Sequence, residues 1–337
     1  MLHIETNYQL LQHNTFGIDV RCSRYVEYAS ADEAIQVAAL IGDEPYIIIG
    51  GGSNLLLTRD FNGLVVRSVM KGIEASVDAQ GDTLLNCASG ETWDDVVAWS
   101  VAQGRSALAN LSLIPGDVGA SAVQNIGAYG AEAAQFIEQV EAVDLVSGHL
   151  VTISAKDCGY GYRQSRFKNE WKGRFLITKV VYRLPADDTP HLDYGNLRDE
   201  LVRRGIGTPT PQQLRDVVIA IRRQKLPDPK ELGNAGSFFM NPIVERKLFR
   251  QLQASYPQIP YYEVGDDRVK IPAAWLIDQC GWKGRSLGRA GVYSRQPLVL
   301  VNLGGATGDE IVSLCRAIQQ DVSRRFGIEL HPEVNIV

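Results

Sequence analysis

Cysteine is scarce in this chain. Cys22, Cys87, Cys158, Cys280 and Cys315 are odd in number and widely scattered over 337 residues. No Cys-x-x-Cys and no paired histidine spacing accompanies them, which argues against a disulfide framework and against a zinc site. A reducing compartment fits this usage. The N-terminus has no charged segment followed by an apolar stretch, and no run approaches the roughly 20 apolar residues that span a bilayer. A soluble, cytoplasmic protein without a membrane partner is expected. Long basic runs are missing as well, and the formal net charge is −5, so a nucleic-acid partner is not expected. Arg222, Arg223 and Lys225 read equally as a local anion site or as a solvated helix end, where the helix dipole favours cations. No internal repeat, coiled-coil seam or exposed apolar stripe marks an assembly surface, so a monomer is the default.

What remains is an ordinary globular composition, 45% apolar and 22% charged, on a chain long enough for two or three cores. Ser30 with Glu33 opens a helix to about Leu40, and Pro45 then introduces the strand-like run Tyr46–Ile49. Leu64–Val66 and Leu84–Cys87 read as strands. Thr92 with Asp95 opens a helix ended by Gly104. From Val140 to Ile153 two alternating runs flank Ser147-Gly148, a hairpin signal, and Phe175–Leu184 is a long strand. Thr210, Pro211 and Gln213 start a helix to about Gln224, which Leu226-Pro227-Asp228-Pro229 stops. Pro272 to Cys280 reads as a short helix closed by Gly281. A longer helix runs from Thr307 and Glu310 to Gly327, its apolar face made by Ile311, Val312, Leu314, Cys315, Ile318, Val322 and Phe326. The run to Val337 is expected to be a strand.

Three segments carry chemistry. Gly50-Gly51-Gly52-Ser53-Asn54-Leu55 follows a buried-type strand and can present backbone N–H groups to a diphosphate. It is neither a Walker loop nor Gly-x-Gly-x-x-Gly, and glycine-rich turns are common. The stretch 114–130, dominated by small residues, raises the odds, because two such regions could line opposite sides of one extended cofactor. A close helix crossing is the competing explanation. Third, Gly233 to Pro242 sets the Ser237 hydroxyl among glycines, two amides and Phe238-Phe239, which suggests either a positioned serine or a tight turn between core phenylalanines.

Taken together the segments resemble the UDP-N-acetylenolpyruvoylglucosamine reductase family. The resemblance runs through Asn14-Thr15-Phe16-Gly17, Gly50-Gly51-Gly52-Ser53-Asn54, Ile114-Pro115-Gly116 and Gln124-Asn125-Ile126-Gly127-Ala128-Tyr129-Gly130. It continues through Gly161-Tyr162-Arg163-Gln164-Ser165, Lys225-Leu226-Pro227-Asp228-Pro229, the Ser237 segment, Trp275-Leu276-Ile277-Asp278-Gln279-Cys280 and Pro332-Glu333-Val334. Asp193-Tyr194-Gly195 resembles the tyrosine-bearing loop of the type I branch. Nearly the whole chain is covered, and this order of motifs is specific.

The resemblance implies an α+β protein with a vanillyl-alcohol-oxidase/PCMH-like fold. Two α/β FAD-binding subdomains, 1–67 (joined by a C-terminal strand 328–337) and 68–226, would precede a substrate-binding α+β domain at 227–327. It implies non-covalent FAD, held by Gly50, Gly51, Gly52, Ser53, Asn54, Leu55, Pro115, Gly116, Ser121, Gln124, Asn125, Gly127, Ala128 and Tyr129. NADPH is the implied reductant, and the implied reaction is reduction of UDP-N-acetylglucosamine enolpyruvate to UDP-N-acetylmuramate for peptidoglycan. Arg163 and Glu333 would stabilise an enol-like intermediate and Ser237 would donate a proton. Tyr194, Lys225, Asn241, Lys283 and Gln296 would hold the UDP-sugar. Arg163 suits a carboxylate that gains negative charge, whereas Glu333 helps only when it carries a proton or donates through a partner. Another FAD-dependent oxidase of the same superfold, or a catalytically silent nucleotide-sugar sensor, are the rival readings. Many of the oxidases attach FAD through His or Cys near the first glycine loop, which here has neither.

Overall fold

The computed structural model describes residues 2–337. Two units divide the described chain, and its path passes between them several times. The first comprises Met1–Tyr8, Cys22–Gly52 and Phe61–Arg222, and the second comprises Gln9–Arg21, Ser53–Asp60 and Arg223–Val337.

In the first unit, strand Phe61–Ser68 lies between Arg21–Tyr28 and Tyr46–Ile49 and is parallel to both, and Ile4–Gln9 forms the far edge. Parallel pairing needs a crossover, and helix Ala31–Leu40 provides it. Ser30 Oγ accepts from the Glu33 N–H, as the sequence pattern predicts. This helix buries Ala34 and Val37 with Val26, Tyr28, Val143 and Leu176 in one core cluster. A second sheet is antiparallel throughout, in the order His149–Ser154, Ile137–Asp144, Phe175–Leu184, Thr83–Ala88, Ile73–Val77. The predicted hairpin closes through Asp144 and His149, and the Phe175–Leu184 strand has the predicted bounds. Trp93 and Tyr182 meet edge to face at 5.5 Å in the main core of this unit.

Helix Trp93–Ala102 starts where expected, but Thr92 makes no side-chain cap bond. Thr92 instead forms a backbone bridge with Asp117, so the helix start is fixed by tertiary pairing. Thr210 and Gln213 do cap reciprocally: Thr210 Oγ1 accepts from the Gln213 N–H and the Thr210 N–H donates to Gln213 Oε1. The helix that follows runs Pro211–Lys225.

The second unit has a sheet in the order Gly233–Ser237, Val299–Asn302, Ala290–Val292, Ser286–Leu287. Helix Gly308–Phe326 contributes buried Ile311, Leu314, Cys315, Ile318, Val322 and Phe326, between a full Thr307–Glu310 capping box and Gly327 at φ +64°. Gly308 is required at its start, since a Cβ there would lie 2.2 Å from the Leu57 carbonyl oxygen. A small antiparallel sheet, Ile243–Glu245, Arg268–Lys270 and Tyr262–Val264, was not signalled by the sequence pattern. The expected C-terminal strand shrinks to Asn335–Ile336, which pairs parallel with Leu55–Leu56. Among the described residues all five cysteines are free, no group of side chains could hold a metal ion, and no helix is long and apolar enough to cross a membrane.

Candidate functional site

The two glycine-rich stretches of the first unit lie against each other. A Cβ added to Gly50 would sit 3.2 Å from Ala120 Cβ, and one on Gly51 would sit 3.1 Å from Asp117 Oδ1 and 3.3 Å from Gly116 Cα. Gly52 and Gly116 have φ of +66° and +120°, so side chains are disfavoured on both sides of this contact. Between them stands Asp117, which the sequence reading passed over. Its Oδ2 is buried with no hydrogen-bond partner. Burial pushes the carboxyl up to about 6, against the opposing charges of Arg67 and Lys71. Arg67 Nε is also buried without a partner. Pro115 is exposed, and Ser121 is turned inward, where its hydroxyl donates to the Val118 carbonyl and meets Tyr182 Oη at 2.6 Å.

Helix Val118–Gln124 ends at Asn125 in the left-handed region, φ +47°, and Tyr129 and Arg163 are left-handed as well, at +48° and +55°. Such backbone is costly for residues with a Cβ and persists only when its surroundings fix it. Here they do. Buried Asn125 donates to Glu132 Oε2 at 2.9 Å and to the Gly161 carbonyl at 2.8 Å, and it accepts from the Ala134 N–H at 2.9 Å. Arg163 folds back over the same loop, donating from Nη1 to the Asn125 carbonyl at 3.4 Å and from Nη2 to the Gly127 carbonyl. A side chain at Gly127 is disfavoured, because a Cβ there would lie 2.9 Å from the Ala131 carbonyl oxygen as well as 2.6 Å from Arg163 Nη1. Ala128 continues the loop, pairing with Ala131. Gln124 is buried at the helix end.

The far side of the loop is held by Asn110, whose Nδ2 donates to the Tyr129 carbonyl at 2.9 Å and to the His191 carbonyl at 2.6 Å. Tyr194, 41% exposed, stands edge-on to Tyr129 at 6.5 Å. Arg222, from the helix Pro211–Lys225, has its Nε buried with no partner. Burial lowers its pKa, Tyr129 and Asp94 counter this, and Arg163 adds to the lowering. Behind it, Arg215 makes a two-bond pair with Asp94 at 2.7 and 2.9 Å. Partnerless guanidinium nitrogens and backbone without side chains fit an anionic ligand.

In the second unit the Ser237 segment is built on buried amides. Asn234 donates its backbone N–H to the Thr15 carbonyl at 2.9 Å, and Thr15 Oγ1 donates to the Asn234 carbonyl at 2.6 Å. Asn302 Nδ2 donates to the Phe16 carbonyl at 2.9 Å. Phe238 and Phe239 are fully buried core residues, packed at 5.2 Å, and Phe16 joins Phe238 at 6.2 Å. Ser237 is only half-buried and pairs with Val299 after an irregularity at Gly236, φ +69°. The C-terminal tail then zips onto this segment. The Glu333 N–H donates to the Phe238 carbonyl at 2.8 Å, the Met240 N–H donates to the His331 carbonyl at 3.0 Å, and Phe239 bridges Pro332.

Asn54 Nδ2 donates to the Glu333 carbonyl at 3.2 Å, and the Asn335 N–H donates to the Asn54 carbonyl at 3.1 Å. Ser237, Glu333 and Asn54 thus converge, although 279 residues separate Asn54 from Glu333. Ser53 is half-buried beside Asn54, and Leu55 is a core side chain. Gln296 is near, since the Phe238 N–H donates to Leu298 in the turn that begins at Gln296. Asn241 Oδ1 accepts from the Ala273 N–H at 2.9 Å, at the start of helix Ala273–Gln279. Lys283 stands on an exposed turn, and Lys225 is the exposed last residue of its helix.

Sequence reasoning missed Asp117, Asn110 and Glu132 as parts of these sites and left Arg222 open between an anion site and a solvated helix end. Only Arg222 carried a signal, as one of a cationic trio; the others become visible through partners far away in the chain.

Residues 228–337 match the C-terminal domain of UDP-N-acetylenolpyruvoylglucosamine reductase, and residues 22–154 match the FAD binding domain. A UDP-N-acetylenolpyruvoylglucosamine reductase of Bacteroides fragilis is 49% identical, over 99% of this chain and 100% of its own length. That of Burkholderia multivorans is 47% identical, over 98% of this chain and 96% of its own. The fold is shared with the crystal structure of the Thermus caldophilus enzyme of the same name, at 22% identity and a TM-score of 0.67, with 100% and 98% of the two chains covered. The FAD-binding, PCMH-like α+β fold expected from the sequence is therefore present, and by identity over its full length the chain belongs to the UDP-N-acetylenolpyruvoylglucosamine reductase family.

Proposed function

We propose that this protein reduces UDP-N-acetylglucosamine enolpyruvate to UDP-N-acetylmuramate with NADPH, in the cytoplasm, for peptidoglycan synthesis. The observation that carries the reading is the pairing of residues 331–333 with 238–240, which sets Glu333 beside the segment of Ser237. FAD, when bound, supplies hydride transfer between NADPH and the enol ether. Gly50, Gly51 and Gly116 let the two glycine-rich stretches close on each other and offer it backbone N–H groups, as does Gly52, with Ser53, Asn54, Leu55, Pro115, Ser121, Gln124, Asn125, Gly127, Ala128 and Tyr129 completing the cofactor set. The side chains of Ser121 and Asn125 are committed to protein partners, so their part is to shape the cradle. No His or Cys lies in 50–56, which supports non-covalent binding.

Arg163 has its guanidinium oriented by two backbone carbonyls and takes the substrate carboxylate, stabilising negative charge as the enol forms. Glu333 assists at the same carboxylate when it carries a proton or donates through a partner. Ser237 transfers its hydroxyl proton to the carbon next to the carboxylate; so weak an acid serves only because the acceptor is strongly basic and the hydroxyl is aimed beforehand. Tyr194, Lys225, Asn241, Lys283 and Gln296 hold the UDP-sugar, with Tyr194 as a lid of the type I branch. The lysines meet phosphate charge. Two FAD-binding subdomains, 1–67 with 328–337 and 68–226, and a substrate domain 227–327 complete the reading, which has the protein act as a monomer. Anaerobic flavin absorbance tests it: NADPH should bleach the band and the enolpyruvyl sugar should restore it. Bleaching without recovery would remove the substrate assignment, and no flavin would remove the whole.

A further inference from the structure

We infer that Asn110 is a positioning residue for the lid that carries Tyr194: its buried amide ties the segment entering the lid and the loop of Tyr129 to one fixed turn. The inference rests on the function proposed above, in which Tyr194 closes over the UDP-sugar.

Asn110 is 1% exposed and lies in a single helical turn, Ala109–Leu111, whose residues are all buried. That turn is anchored by its neighbours. The Trp93 indole N–H donates to the Leu111 carbonyl at 2.9 Å, and the Leu113 N–H donates to Asp94 Oδ1. From this base Asn110 Nδ2 donates twice, to the Tyr129 carbonyl at 2.9 Å and to the His191 carbonyl at 2.6 Å.

The His191 bond completes a set of three in one register. Arg105 Nη1 donates to the Ala186 carbonyl at 3.3 Å, the Ala107 N–H donates to Asp188 Oδ2, and Asn110 donates to His191, each pair 81 residues apart. Segment 186–191 therefore runs beside 105–110 in the same direction, although neither is a strand. Water competes for the exposed Arg105 bond, whereas the bonds from Asn110 start from a buried amide. Beyond His191 the chain has only to reach Leu197, fully buried in the main core, where helix Leu197–Arg203 begins. Tyr194 lies on the short span between these two fixed points, edge-on to Tyr129. Gly130, at φ +82°, brings the backbones together, since a Cβ there would touch Tyr194 Cβ at 3.4 Å and His191 Cβ at 3.5 Å. One amide thus sets the root of the lid against the Tyr129 loop. A lid hung from a fixed root loses less freedom when it closes on a ligand.

The test uses the FAD-loaded full-length chain with Asn110→Ala, Tyr194→Ala and the two combined. In Asn110→Ala the KM for the enolpyruvyl sugar should rise about tenfold, the effect of losing a buried hydrogen bond, while kcat stays within about threefold. FAD content should stay within about twofold, because Asn125 and Ala133 still hold the Tyr129 loop. Chymotrypsin cleavage after Tyr194, located by mass spectrometry without sugar present, should speed by about tenfold, since opening of the lid limits it. The combined variant should match the KM of Tyr194→Ala within about twofold, because both substitutions act through one lid. Where the alanine variant does not fold, Asn110→Ser, which keeps one donor, takes its place. Unchanged cleavage overturns the inference, and so do KM effects that multiply in the combined variant. Loss of FAD in step with loss of sugar binding also overturns it, by marking Asn110 as merely structural. A parent enzyme that the sugar fails to reoxidise overturns the proposed function instead, a failure distinct from that of the tether, which cleavage alone reads.

Discussion

Replacing Gly233 by alanine tests how the Ser237 segment is held. The added Cβ would lie 2.2 Å from the Phe16 carbonyl oxygen and 2.8 Å from its carbon. An unstrained C···O contact is about 3.3 Å, so one backbone must retreat by roughly 1 Å. Neither can do so cheaply. The Phe16 carbonyl accepts from Asn302 Nδ2 at 2.9 Å, and the next pair, Thr15 and Asn234, exchange two hydrogen bonds at 2.9 and 2.6 Å. Overpacking of this kind costs about 1–3 kcal/mol. Losing even one of the buried hydrogen bonds adds about 1–3 kcal/mol. At about 2.1 cal/mol/K per residue, a chain of 337 residues has an unfolding entropy of about 0.7 kcal/mol/K, so each kcal/mol moves Tm by roughly 1.4 °C and the variant should melt about 3–8 °C lower. Gly42→Ala is the control, because nothing lies within 4 Å of a Cβ there. Differential scanning calorimetry of the two variants and the parent would measure this. A Gly233→Ala protein melting within about 2 °C of the control would refute the argument that this close approach holds the segment in place.

Ser237→Ala should slow reoxidation of the reduced flavin by the enolpyruvyl sugar by about 10²- to 10⁴-fold, with FAD content and NADPH reduction unchanged in stopped-flow traces. Asp117 has its folded-state carboxyl raised from 3.8 to about 6 by burial. The folded state therefore binds the proton more tightly, and stability falls as pH rises between these values, a penalty of at most about 3 kcal/mol. Asp117→Asn should match the parent in urea midpoint below pH 4 and exceed it above pH 6, and equal midpoints at pH 8 would contradict this. Thr307→Ala should cost about 1 kcal/mol by removing a cap to the Glu310 N–H, whereas Thr92→Ala, where no side-chain cap bond exists, should cost well under half of that. Urea unfolding of both separates a real cap from a cap-like pattern.

Local chemistry set the elements that the sequence alone determined. Thr210-Pro211 and Thr307 with Glu310 start helices because their side chains reach N–H groups three residues away, and Gly327 ends one because φ +64° suits glycine. Alternation around Ser147-Gly148 fixed a hairpin in the same local way. The order of motifs was enough to place the chain in its family and to name Ser237, Arg163 and Glu333 as candidates. Tertiary structure decided what depends on remote partners. Thr92 has the sequence of a cap, yet its backbone pairs with Asp117 instead. Phe238 and Phe239, which the sequence left open between flanking a positioned serine and filling a core, are core residues whose carbonyl and bridge positions receive the C-terminal tail. Asp117, Asn110 and Glu132 looked like ordinary loop residues, because a carboxyl raised by burial, an amide clasping two carbonyls and a charge held 3.9 Å from Arg163 exist only once distant segments meet. Patterns within a few residues report capping, turns and periodicity, whereas burial, orphaned donors and charge spacing are properties of the packed chain.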